Sequence, residues 1–258
     1  MKKYFLLFLL ICSFQIFISC NKDDALTDPG SSGNTNNVPY ISGQPIPDLS
    51  TTPNFNGIMC AINYDFSTAG QTYFSVTMGF AQLGTGVDAG TVKINNSELG
   101  KNAQSGNTFY MAPSALNPLG WLTNVPFDGS NHNWTVTGGN GIPALSGNVA
   151  SPASFTVSSP AIDASASRTG SLQVIWSNPS SARVMVFLLS SDGSKYYISQ
   201  DLVDNGSHTI PAGTMSSFPV GNGVLYIVKY KYAAINGSDG KTYIMIAEIL
   251  KSINVLFN

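Results

Sequence analysis

The chain has 258 residues and a formal net charge of −2, and only 10% of its residues are charged, against roughly 25% in an ordinary soluble protein. No basic field is present to attract nucleic acid, so nucleic-acid binding is excluded as a class of function. Of the three cysteines, Cys12 lies within an N-terminal apolar run and Cys20 lies just after it. Cys60 is then the one cysteine left in the rest of the chain, so we expect no intrachain disulfide.

The first residues have the order of parts found in a secretory signal. Lys2 and Lys3 precede an apolar run from Tyr4 to Ile18, which is followed by the small residue Ser19 and by Cys20. The run has about 15 residues, whereas a helix that spans a membrane needs about 20. We therefore expect residues 1–19 to be a cleaved signal peptide rather than a permanent membrane span.

The end of this segment, Phe17, Ile18, Ser19 and Cys20, resembles the lipobox of bacterial lipoproteins. The resemblance implies cleavage before Cys20, diacylation of its thiol and acylation of the new amino group. Two or three acyl chains anchor a protein stably, whereas one chain binds marginally. We therefore expect a membrane partner, reached through lipid on Cys20.

Three charged residues close behind the cysteine, Lys22, Asp23 and Asp24, resemble the export signal of surface lipoproteins in the Bacteroidota. This resemblance implies an outer-membrane lipoprotein exposed on the cell surface. The alternative is that these residues are the solvated, charged start of a linker.

Residues 20–55 are rich in Asp, Pro, Gly, Ser, Asn and Thr and show no sustained periodicity. Such a segment buries too little apolar surface to offset the entropy lost on ordering. We expect the acylated cysteine and a disordered tether here.

Residues 56–159 contain short runs of β type separated by turn residues. Residues 57–66 and 71–81 flank a turn, and in the second run Phe74, Val76, Met78 and Phe80 alternate with polar or smaller side chains. This alternation predicts half-buried strands. Further strands are predicted at residues 91–95, 108–112, 132–137 and 153–158.

Residues 160–258 form a second series, with strands predicted at 171–177, 183–189, 195–199, 207–210, 224–232 and within 241–257. In residues 224–232 one face carries Leu225, Ile227 and Lys229. The other face carries Tyr226, Val228 and Tyr230, and we expect it to be the core face.

The segment around Trp176, TGSLQVIWSNPSS, resembles the second strand of a fibronectin type III domain, and Tyr226 lies near the tyrosine expected in a later strand. The resemblance implies an immunoglobulin-like sandwich with Trp176 in its core. We therefore predict an all-β fold of two antiparallel β-sandwich domains, residues 56–159 and 160–258. The sequence leaves open whether the halves fold independently or form one continuous sandwich.

Few side chains suit catalysis. His132 and His208 are the two histidines of the chain, and we interpret both as strand residues, with His132 exposed beside an inward Trp134. Cys60 lies in an apolar strand without a nearby base, which favours a buried, inert thiol. We predict no catalytic residues, no metal site and no cofactor.

A long loop from Met111 to Trp134 is the segment most typical of a binding site. Trp121, Phe127 and Trp134 in or beside it, and Tyr196 in a later strand, are candidates for contact with a ligand. The alternative for Trp121 and Phe127 is that they close the end of the core.

These features predict a surface lipoprotein that acts as a non-catalytic binding, adhesion or structural module, with an unknown protein or glycan as its ligand. The alternative is a surface glycan-binding component or a hydrolase that degrades polysaccharide or peptide. Carboxylates that converge in a deep cleft would favour the hydrolase, and a flat aromatic face would favour binding.

Overall fold

The computed structural model describes residues 55–68, 71–104, 106–114 and 116–258, which belong to one compact unit. This part of the chain contains sixteen strands and one four-residue helix. None of its helices is long and apolar enough to cross a bilayer. The predicted signal peptide, Cys20 and residues 21–54 of the predicted tether lie outside the described residues, whereas Phe55 begins β1.

The first eight strands are β1 (Phe55–Thr68), β2 (Gln71–Leu83), β3 (Val92–Ile94), β4 (Ser97–Glu98), β5 (Gly100–Gln104), β6 (Asn107–Ala112), β7 (Asn131–Val136) and β8 (Leu145–Ala150). They are followed by β9 (Val157–Ser159), β10 (Ala164–Ala166), β11 (Leu172–Trp176), β12 (Arg183–Ser190), β13 (Tyr196–Val203), β14 (Ser207–Ile210), α1 (Ala212–Met215), β15 (Gly221–Asn236) and β16 (Thr242–Phe257).

One large sheet has the strand order β13-β12-β15-β16-β1-β2-β6-β5, and β10 pairs additionally with β16. The neighbours are antiparallel except for two parallel pairs, β1 with β16 and β10 with β16. The first described strand therefore lies in the middle of the sheet, beside the last strand of the chain.

Two smaller sheets, β4-β3-β7-β8 and β14-β11-β9, complete the fold. The first contributes Val92, Trp134 and Leu145 to one hydrophobic cluster, and the second contributes Val174 and Trp176 to another. Both clusters include residues of β16, so both small sheets pack against the large one. The all-β prediction is confirmed, and so is the burial of Trp176 in the core.

One face of β16 contributes side chains to both hydrophobic clusters. Tyr243, Met245 and Ala247 belong to the first cluster, and Ile249 and the odd-numbered residues 253, 255 and 257 belong to the second. Because successive side chains of a strand point to opposite faces, the even-numbered residues lie on the other face of the large sheet.

The structure corrects two predictions about faces. On β15 the second cluster contains Leu225 and Ile227, and not the row of Tyr226 and Val228, although Val228 is also buried. On β7, His132 is buried together with Trp134 and Val136. Residues two apart in a strand share a face, so an inward Trp134 requires an inward His132.

Four strands of the described region were not predicted: β4, β5, β8 and β10. Strand β8 has the sequence LSGNVA and contains Gly147, where an added Cβ would lie 2.7 Å from the side chain of Ile235 on β15. The glycine lets the small sheet approach the large one closely. Because Gly147 and its neighbours Ser146 and Asn148 have low β propensity, the strand is not predicted from the sequence.

Candidate binding surface

A row of aromatic side chains lies on the face of the large sheet that is turned away from the two hydrophobic clusters. On β16 this face carries the even-numbered residues. Phe187 on β12 pairs with Tyr226 on β15, and the ring centroids are 5.8 Å apart. The ring of Tyr196, on β13, has its centroid 6.2 Å from that of Phe187. We call these three residues, with Leu189 and Val224 beside them, the aromatic patch.

The patch is accessible from solvent. Tyr196 is 43% exposed, and Phe187, Tyr226, Leu189 and Val224 are half-buried.

Alternation of side chains along β12 produces this arrangement. Val184, Val186 and Leu188 pack in the second cluster, while Phe187 and Leu189 point to the opposite face. The three rings thus form a row on one face of the sheet, with interplanar angles of 29° between Phe187 and Tyr226 and 44° between Phe187 and Tyr196.

Hydroxyl groups border these rings. Tyr226 pairs with Ser252 on β16, and the hydroxyl of Tyr64 lies 3.4 Å from the Ser252 hydroxyl. Burial raises the pKa of Tyr226 to about 12, with a further contribution from Tyr64, and burial also raises the pKa of Tyr64. Both phenols are therefore neutral at physiological pH and can donate a hydrogen bond.

The centre of the same face is apolar and contains a buried carboxyl group. Glu248 is flanked across the sheet by Ile62 and Tyr230, and its Oε2 atom has no hydrogen-bond partner. Burial raises the pKa of Glu248 to about 8. The carboxyl group is therefore largely protonated at neutral pH.

Cys60 lies near Glu248 on this face and is buried. Burial, and secondarily the charge of Glu248, raises the pKa of the Cys60 thiol well above its usual value. The thiolate that nucleophilic chemistry requires is therefore disfavoured, as the sequence predicted for an inert thiol.

The loop between β6 and β7 presents side chains other than those expected. Its tip is closed by backbone hydrogen bonds between Ser114 and Asn117, and Leu116 and Leu119 are 92% and 69% exposed. Trp121 is half-buried. The loop therefore offers two leucines to solvent and only part of an indole ring.

The remaining candidates from the sequence lie in different environments. Phe127 is half-buried against both clusters and contacts His132 edge to face at 4.7 Å. Trp134 has no exposed surface, so in this structure it packs in the core and cannot reach a ligand. Tyr196 joins the aromatic patch, whereas Trp121 and Phe127 belong to the loop between β6 and β7.

The two histidines serve local packing. His132 Nε2 lies 2.8 Å from the carbonyl oxygen of Pro126, and burial lowers the pKa of the ring. The Nε2 atom of His208 lies 2.8 Å from the hydroxyl of Tyr197. In the described ranges, no three His, Cys, Asp or Glu side chains are arranged as metal ligands.

A buried ion pair lies on the opposite face of the large sheet. Lys229 Nζ is 2.9 Å from Asp204 Oδ2, and the two side chains are 1% and 0% exposed. The ammonium group also lies 4.9 Å from the centroid of the Phe155 ring. Burial lowers the pKa of Lys229, although the contact with Asp204 opposes this effect.

Sequence reasoning did not identify Phe187, Leu189 and Tyr226 as a surface. Both faces of residues 183–189 are apolar, so alternation alone could not say which side chains pack in the core. The usable signal was the aromatic content of two predicted strands, Phe187 in one and Tyr226 in the other, but their pairing is visible only in the sheet.

No protein-family model and no curated protein matches this chain. A solved structure titled "Biofilm associated protein - BSP domain" aligns with 73% of this chain and 28% of its own, at 16% identity and a TM-score of 0.21. This chain thus spans less than a third of that protein.

Two immunoglobulin-domain structures also align. "DIP-gamma IG1+IG2" aligns over 80% of this chain and 97% of its own, at 8% identity and a TM-score of 0.21. The complex of Dpr11 IG1 with DIP-gamma aligns over 80% and 98%, at 9% identity and a TM-score of 0.20. Likenesses this weak do not identify a function.

Proposed function

We propose that this chain is a lipid-anchored, non-catalytic binding module on the outer face of the outer membrane, and that the aromatic patch holds its ligand. The observation that carries the proposal is the row of Tyr196, Phe187 and Tyr226, whose ring centroids lie 6.2 and 5.8 Å apart on one partly exposed face of the sheet. Such faces bind flat, weakly polar surfaces, and bordering hydroxyls supply hydrogen bonds. A glycan chain or an aromatic-rich protein surface has this chemistry.

The patch can be tested with the mature chain from residue 20, made soluble by Cys20→Ala. We expect binding on a glycan array or in a protein pull-down to weaken about tenfold or more in Tyr196→Ala and Phe187→Ala, since truncating a central aromatic anchor costs about 2 kcal/mol or more. Trp121→Ala and Val203→Ala, which alter other parts of the surface, serve as matched controls.

Two results would contradict this assignment. Unchanged binding in both patch variants, with native unfolding midpoints, would remove the aromatic patch from the site. Loss of binding in Trp121→Ala alone would instead assign recognition to the loop between β6 and β7.

The anchor has a separate test. We expect Cys20→Ala in the full-length precursor to abolish labelling by a palmitate analogue and to release the chain from membranes, because the thiol and the new amino group at this position would carry the acyl chains. Retention in the membrane without labelling would show that the apolar run remains as a span. Replacing Lys22, Asp23 and Asp24 by Ala should leave labelling intact and reduce digestion by protease added to whole cells.

A further inference from the structure

The buried ion pair consists of an amine and a carboxyl group, which are the two groups that an amide bond joins. Lys229 Nζ lies 3.0 Å from the carbonyl oxygen of Ser177, 2.7 Å from that of Asn178 and 2.9 Å from Asp204 Oδ2. The three acceptors match the three protons of an ammonium group. If the amine loses the proton that faces Asp204, the two carbonyls keep the other two protons, and the lone pair points at the carboxyl group.

Hydrogen-bond donors surround the carboxyl group of Asp204. Trp176 Nε1 donates to Oδ1 at 2.7 Å, and the backbone amide and hydroxyl of Ser180 both donate to Oδ2 at 2.9 Å. The indole N–H can stabilise the negative charge that develops on Oδ1 when a nucleophile adds to Cγ. The Ser180 donors face Oδ2, the oxygen that would leave.

We propose that Lys229 and Asp204 form an intramolecular isopeptide bond. One Nζ proton first passes to Oδ2, which gives a neutral amine and a neutral acid. The Nζ–Cγ bond then forms and the Cγ–Oδ2 bond breaks, while a second Nζ proton joins Oδ2, so that one water molecule leaves. The third proton stays on the amide nitrogen, and neither an oxidant nor a cofactor is consumed.

Burial favours both the reaction and its product. Two charges held away from water carry a desolvation cost that a neutral amide does not. Two reacting groups that the fold holds in contact can also reach effective molarities of roughly 10⁵ M or more. The reason is that their translational and rotational entropy has already been lost on folding. The lowered pKa of Lys229 increases the fraction of neutral amine.

Intact-mass measurement of the folded mature chain carrying Cys20→Ala tests the proposal. We expect a mass lower than that of the sequence by one water molecule. Trypsin should not cleave after Lys229, and a branched peptide joining Asp204 to Lys229 should be recovered. A folded chain that keeps the full sequence mass after prolonged incubation at neutral pH would overturn the proposal.

Matched variants separate this reaction from other losses of water. Lys229→Arg keeps the positive charge but should retain the full mass, whereas Lys251→Arg, at the neighbouring pair with Asp65, should still lose water. Asp204→Asn should lose ammonia in place of water. A loss of water that persists in Lys229→Arg would come from another position, such as a succinimide at Asp128-Gly129, and would overturn the assignment.

Discussion

At the scale of single residues, Glu248 couples the fold to pH. Its pKa is about 8 in the folded chain because of burial, against a usual value of 4.5. Between these two values the folded state binds a proton that the unfolded state has released, so the free energy of unfolding falls as pH rises through this range. Each unit of difference corresponds to about 1.4 kcal/mol.

We therefore expect Glu248→Gln to stabilise the chain at pH 8 relative to wild type and to flatten the fall in stability between pH 5 and 8. Denaturant unfolding of the soluble mature chain at several pH values measures this effect. Glu98→Gln, at an exposed side chain, is the matched control and should leave the pH profile unchanged. A wild-type profile that is already flat over this range would show that Glu248 is solvated in solution.

At the scale of elements, the contact between β15 and its neighbours depends on a glycine. A Cβ added at Gly223 would lie against the ring of Phe257 and 2.8 Å from the backbone carbonyl of Leu189. The ring belongs to the second cluster, and the carbonyl belongs to the adjacent strand, so neither can move without disturbing the sheet.

We expect Gly223→Ala to lower the free energy of unfolding by about 1–3 kcal/mol, the usual cost of overpacking a core. Gly170→Ala, where the added Cβ would meet nothing within 4 Å, should change it by less than about 0.5 kcal/mol. Equal effects of the two substitutions would show that the end of β15 is loosely packed. Chemical denaturation monitored by Trp fluorescence is the measurement.

Local sequence pattern predicted most strands of the described region, because alternation and turn residues are local signals. The hairpin of β1 and β2 and the strands around Trp134, Trp176 and Tyr226 were recognised in this way. Strands β5 and β8 were missed because one is a mostly exposed edge and the other is held by a close approach at Gly147. The aromatic patch was missed because its members become neighbours only through sheet pairing.

At the scale of the whole molecule, the two halves of the chain share their cores. The first cluster contains Tyr243 and Met245 from β16, and the second contains Phe155 from the first half. Strand β1 lies between β16 and β2 in the large sheet. The large sheet and both clusters thus extend across the predicted boundary between the two halves.

We accordingly expect neither residues 55–159 nor residues 160–258 to fold alone, since each fragment lacks part of a core and leaves a long strand edge unpaired. Circular dichroism, dye binding to exposed apolar surface and size-exclusion chromatography of the fragments test this expectation. Residues 55–258, expressed together, are the control. A monomeric 160–258 fragment with cooperative unfolding would contradict it.

The pairing of β1 with β16 also determines when the chain can fold. The hydrogen bond from Asn56 to the hydroxyl of Tyr243 joins residues 187 positions apart, and the ladder of β1 with β16 continues from there. Contacts of this separation slow folding, and they form only when the last strand is present. Under the proposed export, the chain therefore stays without its central ladder until β16 has crossed the membrane. Removal of β16 would take the pairing partner away from both β1 and β15 and should abolish folding.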